Sequence, residues 1–321
     1  MIAPRSFGLM LVTCWLGPTL VPSAGGQTAS IAARSCHSMT AGSGLGAVVY
    51  GGARFCGTDI LADSMVWRWS GSSWSALPGV FPGRREDALL IYDSRRKVLV
   101  LHGGRAGPQV YRDTWEWNGS SWSRRSEGNA DSPGPLEHAA AAFDSVRGRV
   151  VVFGGGTRDR QLHATVWEWD GTRWQRHSVQ GPVARVGHSM TGASGAVFMY
   201  GGFNESGSLA DLWKWNGAVW ERVHGAGPTH TEGMALVSGS SGLLVVGAGT
   251  GNTGPGSPLK VWRFAGGRWS ELPGSGPTLK VGQGVAYDAA RRKLVLFGGA
   301  IPDGPASNEL WEFDEAGWRR R

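Results

Sequence analysis

The chain has 321 residues, among them 52 glycines and 17 tryptophans, with 18% charged residues and a formal net charge of +7 at pH 7. This composition suits many short strands joined by tight turns. It excludes a helical bundle, because beyond the N-terminus no stretch sustains apolar residues at helical spacing. Lys and Arg are scattered along the chain without a recognition-motif spacing, which argues against nucleic acid as the partner.

In chain order, residues 1–26 differ from the rest. Arg5 is their only charge, Phe7 to Leu16 is an apolar run, Gly17-Pro18 breaks it, and small residues follow at Ser23 to Gly26. That is the layout of a signal peptide, too short in its apolar part to span a bilayer. Leu11-Val12-Thr13-Cys14 also offers a weak lipoprotein box, so a lipid anchor stays open as an alternative. No later segment is apolar enough to cross a membrane. The expected product is a chain exported to the periplasm, the cell envelope or the medium, with residues 27–321 as one domain. Cys14 would leave with the signal, and Cys36 and Cys56 would remain as an even pair for a disulfide in an oxidising compartment.

From residue 34 onward one unit recurs. The stretch Val98 to Trp122 displays it: an apolar run to Leu101, the pair Gly103-Gly104, a variable loop, Trp115 and Trp117 alternating on a strand, the turn Asn118-Gly119, and a closing Trp122. The second glycine of the pair recurs at Gly52, Gly104, Gly155, Gly202 and Gly299, with Gly247-Ala248 as a degenerate copy. The closing residue recurs at Trp74, Trp122, Trp174, Trp220, Trp269 and Trp318, at intervals of roughly 50 residues, which is a propeller period. Trp-x-Trp stands at Trp67/Trp69, Trp115/Trp117, Trp167/Trp169 and Trp213/Trp215, then relaxes to Trp262/Phe264 and Trp311/Phe313. All tryptophans but Trp15 occupy these repeated places, which predicts packing between blades rather than sugar stacking.

These units resemble the kelch repeat, over roughly Arg34 to Trp318. The resemblance implies an all-β fold: a six-bladed kelch-type β-propeller with four antiparallel strands per blade and the first strand innermost. Ring closure is open between packing of the first and last blades and an added edge strand from Thr28 to Ala32. Galactose oxidase, a copper enzyme, has a kelch-type propeller. The five tyrosines here match no Tyr-His copper constellation, since Tyr50, Tyr92, Tyr200 and Tyr287 fall on strands and only Tyr111 in a variable loop. Bacterial sialic-acid epimerases are also kelch-like, and Glu86, Glu137 and Glu232 beside strand one could serve as acid-base groups at the axis.

His37, His138 and His188 read as equivalents on separate blades, too far apart to share a metal, so neither a metal nor an organic cofactor is expected. The triplets Arg95-Arg96-Lys97 and Arg291-Arg292-Lys293 read as solvated turns. Asn118 and Asn204 head formal glycosylation sequons. At the entry to strand one, Arg34, Arg84, Arg185 and Lys280 take near-equivalent places, with His230 in blade five and Pro135 in blade three. Arg105, Arg112, Arg158 and Arg160 lie in loops opening at the same end, so the summed field there favours an anionic ligand. The same basic residues could instead pair with Glu86, Asp87, Glu137 or Glu232 and brace the blades. Three functions stay open: a binding module for a glycan or an extracellular protein, a sugar isomerase or epimerase with an axial acid-base site, and an envelope scaffold. A single chain per molecule is expected.

Overall fold

The computed structural model describes residues 30–56, 59–60, 64–229, 232–247, 255–274, 276–302 and 304–321. The signal-peptide segment, Cys14 and His230 lie outside them. Six four-stranded antiparallel sheets form the ring, each drawn from one contiguous stretch of chain with its strands in sequence order. The innermost strands are Ser38–Gly42, Leu89–Asp93, Ala140–Asp144, Ser189–Ala193, Ala235–Gly239 and Val281–Asp288. Among the described residues there is no helix.

Blade three shows how the repeat builds a sheet. The β-branched run in Arg149–Phe153 pairs on one side with Ala140–Asp144 and on the other with Val166–Trp169, placing Val152 opposite Trp167 and Val150 opposite Trp169. The turn Asp170-Gly171 then sets Trp174 opposite Trp169. Because side chains alternate along a strand, both tryptophans of Trp-x-Trp face the preceding blade and the residue between them faces the following one. Trp169 and Trp215 are fully buried there, and Trp117, Trp122, Trp174 and Trp220 nearly so. The first tryptophan of each pair is half-buried.

Closure needs no exchanged strand. Blade six takes all four strands from Val281–Asp288, Lys293–Ala300, Leu310–Phe313 and Trp318–Arg320, and it packs directly on blade one. Of the alternative edge strand from Thr28 to Ala32, residues 30–32 are described and form no strand; Ile31 buries itself among Trp69, Val295, Phe297 and Leu310.

The basic turns are not simply solvated. Arg96 reaches back to Asp93 at 2.6 Å and across to Glu116 at 2.7 Å, and Arg147 does the same with Asp144 (2.8 Å) and Glu168 (2.7 Å). Arg291 repeats it with Asp288 and Glu312. Each of these glutamates also accepts the indole N–H of the next blade: Trp169 to Glu116 at 2.9 Å, Trp215 to Glu168 at 2.8 Å and Trp69 to Glu312 at 2.9 Å. Burial acts to raise the Glu312 carboxyl, but hydrogen bonds from Trp69 and Arg291 outweigh it and hold the group below the usual carboxylate range. Blades two, three and six thus carry an Asp-Arg-Glu cluster that grips the tryptophan of the following blade. In blades one, four and five the glutamate is replaced by Arg68, Lys214 and Arg263. The blades after four and five carry Phe264 and Phe313, which have no N–H to satisfy. Trp-x-Phe thus occurs only after a blade that has lost the acceptor; blade one has lost it too, yet blade two keeps Trp117, whose indole N–H donates to Pro78 O at 3.1 Å instead.

Candidate functional site

The mouth of the axis is set by a kink where each innermost strand begins. Cys36, Asp87, His138, Gly187, Gly233 and Gly282 all have positive φ, between 52° and 84°. Their peptide groups link neighbouring blades: Cys36 N–H donates to Gly282 O at 2.8 Å, Asp87 N–H to Cys36 O at 3.0 Å and Gly187 N–H to His138 O at 2.9 Å. Counting from this kink corrects two sequence equivalences. His138 sits at the kink itself, whereas His37 and His188 lie one residue further on and are buried, so the three histidines are not one set. The basic residue two before the kink in blade two is Arg85, not Arg84; Arg85 is buried and Arg84 is exposed.

The Gly pair is the partner of this kink. A Cβ on Gly51 would lie 2.1 Å from the carbonyl oxygen of Arg85 in the next blade, and one on Gly104 would lie 2.8 Å from Ala88 Cβ of its own strand one. The first glycine admits the neighbouring blade and the second admits the blade's own inner strand. The strand-entry arginine fastens both. Arg34, Arg85 and Arg185 each donate from Nη1, at 2.9 Å, to the carbonyl of the first glycine, namely Gly51, Gly103 and Gly201. Their own carbonyls accept from the second glycine of the preceding blade, at Gly299, Gly52 and Gly155.

Carboxylates brace these cations, and they are not the ones expected from the sequence. Arg85 pairs with Asp113 at 2.8 Å, Arg185 with Asp211 at 2.6 Å and Lys280 with Glu309 at 2.6 Å. Asp113 and Asp211 also accept the indole N–H of Trp115 and Trp213, each at 2.7 Å. Burial works to raise both aspartates, yet the arginine hydrogen bonds prevail and hold them below the ordinary value. The signal for this brace was an acid two residues before the strand-three tryptophan, at Asp113, Asp211 and Glu309. Arg34, Arg185 and Lys280 are therefore buried and bonded within the blades.

The remaining candidates do lie at the mouth. Glu86 is buried, with Arg105 Nε 3.3 Å from it and 3.3 Å from Asp87. Glu137 meets Arg158 at 3.3 Å, and Glu232 is exposed. Cys36 and Cys56 form a disulfide with Cα atoms 5.8 Å apart, tying the kink of blade one to its strand-two loop. Glu86 clusters with these two sulfurs, but bridged sulfurs are not thiolates and one carboxylate makes no metal site.

After the Gly pairs, short hairpins rise around the mouth: Ala53–Phe55 with Asp59–Ile60, Arg105–Ala106 with Gln109–Val110, Phe203–Asn204 with Gly207–Ser208, and single bridges from Gly156 to Leu162 and from Ala300 to Ala306. Phe55 and Ile301 are exposed on them, as are Arg158, Arg160 and the neighbouring Arg84 and Arg112. Arg158 also spans two hairpins by donating to Gly107 O at 2.7 Å. Below the mouth runs an axial channel of about 560 Å³, lined by inner-strand residues such as Ser38, Thr40, Leu89, Ala141, Ser189 and Tyr287; among the described residues no Asp, Glu, Lys or Arg stands in its wall. No helix of the described residues is long and apolar enough to cross a membrane.

Comparison with known proteins agrees with this architecture. Residues 116–279 match the family model described as the KLHDC2/KLHL20/DRC7 Kelch-repeats domain. No curated protein matches the chain. The matched span takes in strands of blades two to five, and blades one and six repeat the same kink, Gly pair and closing tryptophan; the chain belongs to the kelch-repeat family.

Proposed function

We propose that this propeller is an exported binding module that holds a carboxylate-bearing segment of an extracellular protein on the hairpin-bearing face. Kelch propellers suit protein binding, and here a rigid repeated frame carries loops that differ from blade to blade. The observation that carries the reading is the company on that face: exposed Arg84, Arg112, Arg158 and Arg160 beside exposed Phe55 and Ile301. Arginine and aromatic anchors are the side chains that dominate binding interfaces, and the arginines steer and pair with carboxylates. The signal-like N-terminus and the disulfide support export.

Arg185 and Lys280 are unsuitable for testing this, since reversing a buried paired charge would break the blades. The double variant Arg158→Glu/Arg160→Glu changes the exposed field instead. Fluorescence anisotropy with a labelled Glu- and Trp-containing peptide, and with a sialylated oligosaccharide as the glycan arm, should show binding that weakens as salt rises and falls at least about tenfold in the variant. Oligosaccharide binding without peptide binding would make the partner an acidic glycan. Unchanged affinity for both in a variant with wild-type melting would remove this face as the site.

A further inference from the structure

Each junction between adjacent blades has to be filled at its turn end, and the chain does so differently from place to place. Between blades two and three, three and four, and six and one, the turn arginine and the indole of the next blade occupy the space. Arg96, Arg147 and Arg291 also lie on the turn glycine of the following blade, so that a Cβ on Gly171, Gly217 or Gly71 would come within 2.5, 2.6 or 2.9 Å of the guanidinium. Between blades one and two, Leu45 and Tyr92 pack with Trp117, and Tyr92 covers Gly42 at 2.4 Å from where its Cβ would be. Between blades five and six, Tyr287 packs with Phe313 while its hydroxyl accepts from Ser240 N–H at 3.1 Å, and Ser241 donates to Glu315 at 2.6 Å.

The junction between blades four and five has none of these fillers. Its turn is Ser194-Gly195, without arginine; Lys214 stands where blades two, three and six have glutamate; Phe264 replaces the indole; and Ser238 takes the place held by Tyr92, Phe143 and Tyr287 in blades two, three and six. The result is a groove of about 710 Å³, walled by Phe198 and Leu243 and by Phe264, with Lys214, Arg222 and Glu221 on its rim and the hydroxyls of Ser194, Ser238 and Ser240 at its inner end. Its size is that of a small-molecule site. Phe198 stands directly opposite Lys214 in the sheet, so an apolar ring and a cation face the groove side by side. Lys214 is held only loosely, 3.5 Å from an exposed Glu221 that also accepts from Asn216 at 3.2 Å. Where three of the filled junctions enclose a guanidinium against a carboxylate, this one offers ammonium and guanidinium to whatever enters.

We infer that the junction between blades four and five is a binding site for a small aromatic anion, its ring against Phe198 and Phe264 and its carboxylate on Lys214. The site lies at the turn end of the ring, opposite the hairpin-bearing face, and stands independently of the function proposed there. Aromatic edge contacts and a charge-assisted hydrogen bond from Lys214 would hold it. Isothermal titration of the whole protein with 1-naphthoate, 1-naphthamide and 1-naphthylmethylammonium reads the assignment. Naphthoate should bind with a dissociation constant below about 1 mM and at least about tenfold more tightly than the other two. Lys214→Ala should erase that preference, and Ser238→Tyr, which installs the residue of blades two and six, should abolish binding. Should Ser238→Tyr fail to fold, Lys214→Glu, a change at a half-buried side chain on the groove's rim, gives the same reading by rejecting naphthoate. Absence of naphthoate binding, equal affinity for the three probes, or binding that survives either Lys214→Glu or a folded Ser238→Tyr would overturn the inference.

Discussion

Glu168 is the place to test whether neighbouring blades are coupled through the Asp-Arg-Glu cluster. Its carboxylate is buried and takes Arg147 Nη1 at 2.7 Å and Trp215 Nε1 at 2.8 Å. Glu168→Ala leaves the buried indole without an acceptor, a cost of about 1–3 kcal/mol. Arg147 keeps Asp144 at 2.8 Å and is partly exposed, so its loss is a fraction of that for a fully orphaned charge. A total of about 2–4 kcal/mol is expected. Trp215→Phe alone removes one hydrogen bond to a charged acceptor, about 1.5–3 kcal/mol. In the Glu168→Ala background the same substitution removes a liability rather than a bond and should be close to neutral. The cycle should therefore show a coupling of about 1.5–3 kcal/mol. Urea unfolding followed by both far-ultraviolet circular dichroism and tryptophan fluorescence measures it, with coincident transitions licensing the free energies. Two single effects that add to within about 0.5 kcal/mol would refute the coupling and with it the explanation of Phe264 and Phe313.

Two further outcomes follow from the same geometry. Burial, aided by the charge of Arg34, lowers His37 to about 3, and burial lowers His102 to about 4, so both fold as neutral imidazoles. Because their folded values lie below the unfolded one near 6.5, the unfolded chain takes protons first: stability is full above about pH 6.5 and falls as the pH drops, by roughly 2–3 kcal/mol per histidine at pH 4.5. The depressed carboxylates Asp113, Asp211, Glu309 and Glu312 act lower, below their unfolded values near 4. His37→Gln, copying Gln283 at the matching place of blade six, should remove its share of the loss between pH 7.5 and 4.5; an unchanged slope in urea midpoints would contradict a buried neutral His37. For the turns, Gly119 and Gly171 have φ of 104° and 100°, but only Gly171 lies against Arg96. Alanine should carry the backbone strain at both and, at Gly171, an overpacking cost of about 1–3 kcal/mol more, readable as a lower unfolding midpoint; equal midpoints would show that Arg96 moves aside freely.

Strand order, blade number and the hairpins were legible in the sequence because they rest on local physics. Alternation with period two, a β-branched run ending in Gly-Gly, and Asn-Gly or Asp-Gly turns each act within a few residues, and six copies in phase reinforce one another. The Cys36–Cys56 bridge was legible as the even pair beside them. Alignment at strand entry was not. Arg84-Arg85 presents two neighbouring candidates, and only the contact of Gly51 and Gly52 with Arg85 from the adjacent blade decides which one is buried. The expected acidic partners of the entry cations were misplaced for the same reason: Glu86 and Glu137 are close in sequence, whereas Asp113 and Asp211 approach only after two strands have folded back. The filling of each blade junction depends on residues one blade away, so Trp-x-Phe reads as drift in the sequence and as a lost acceptor in the ring. Propensity and pattern determined which elements form, since those depend on near neighbours; the contacts between blades determined which charges are buried and which junction stays open, since those exist only once the ring is closed.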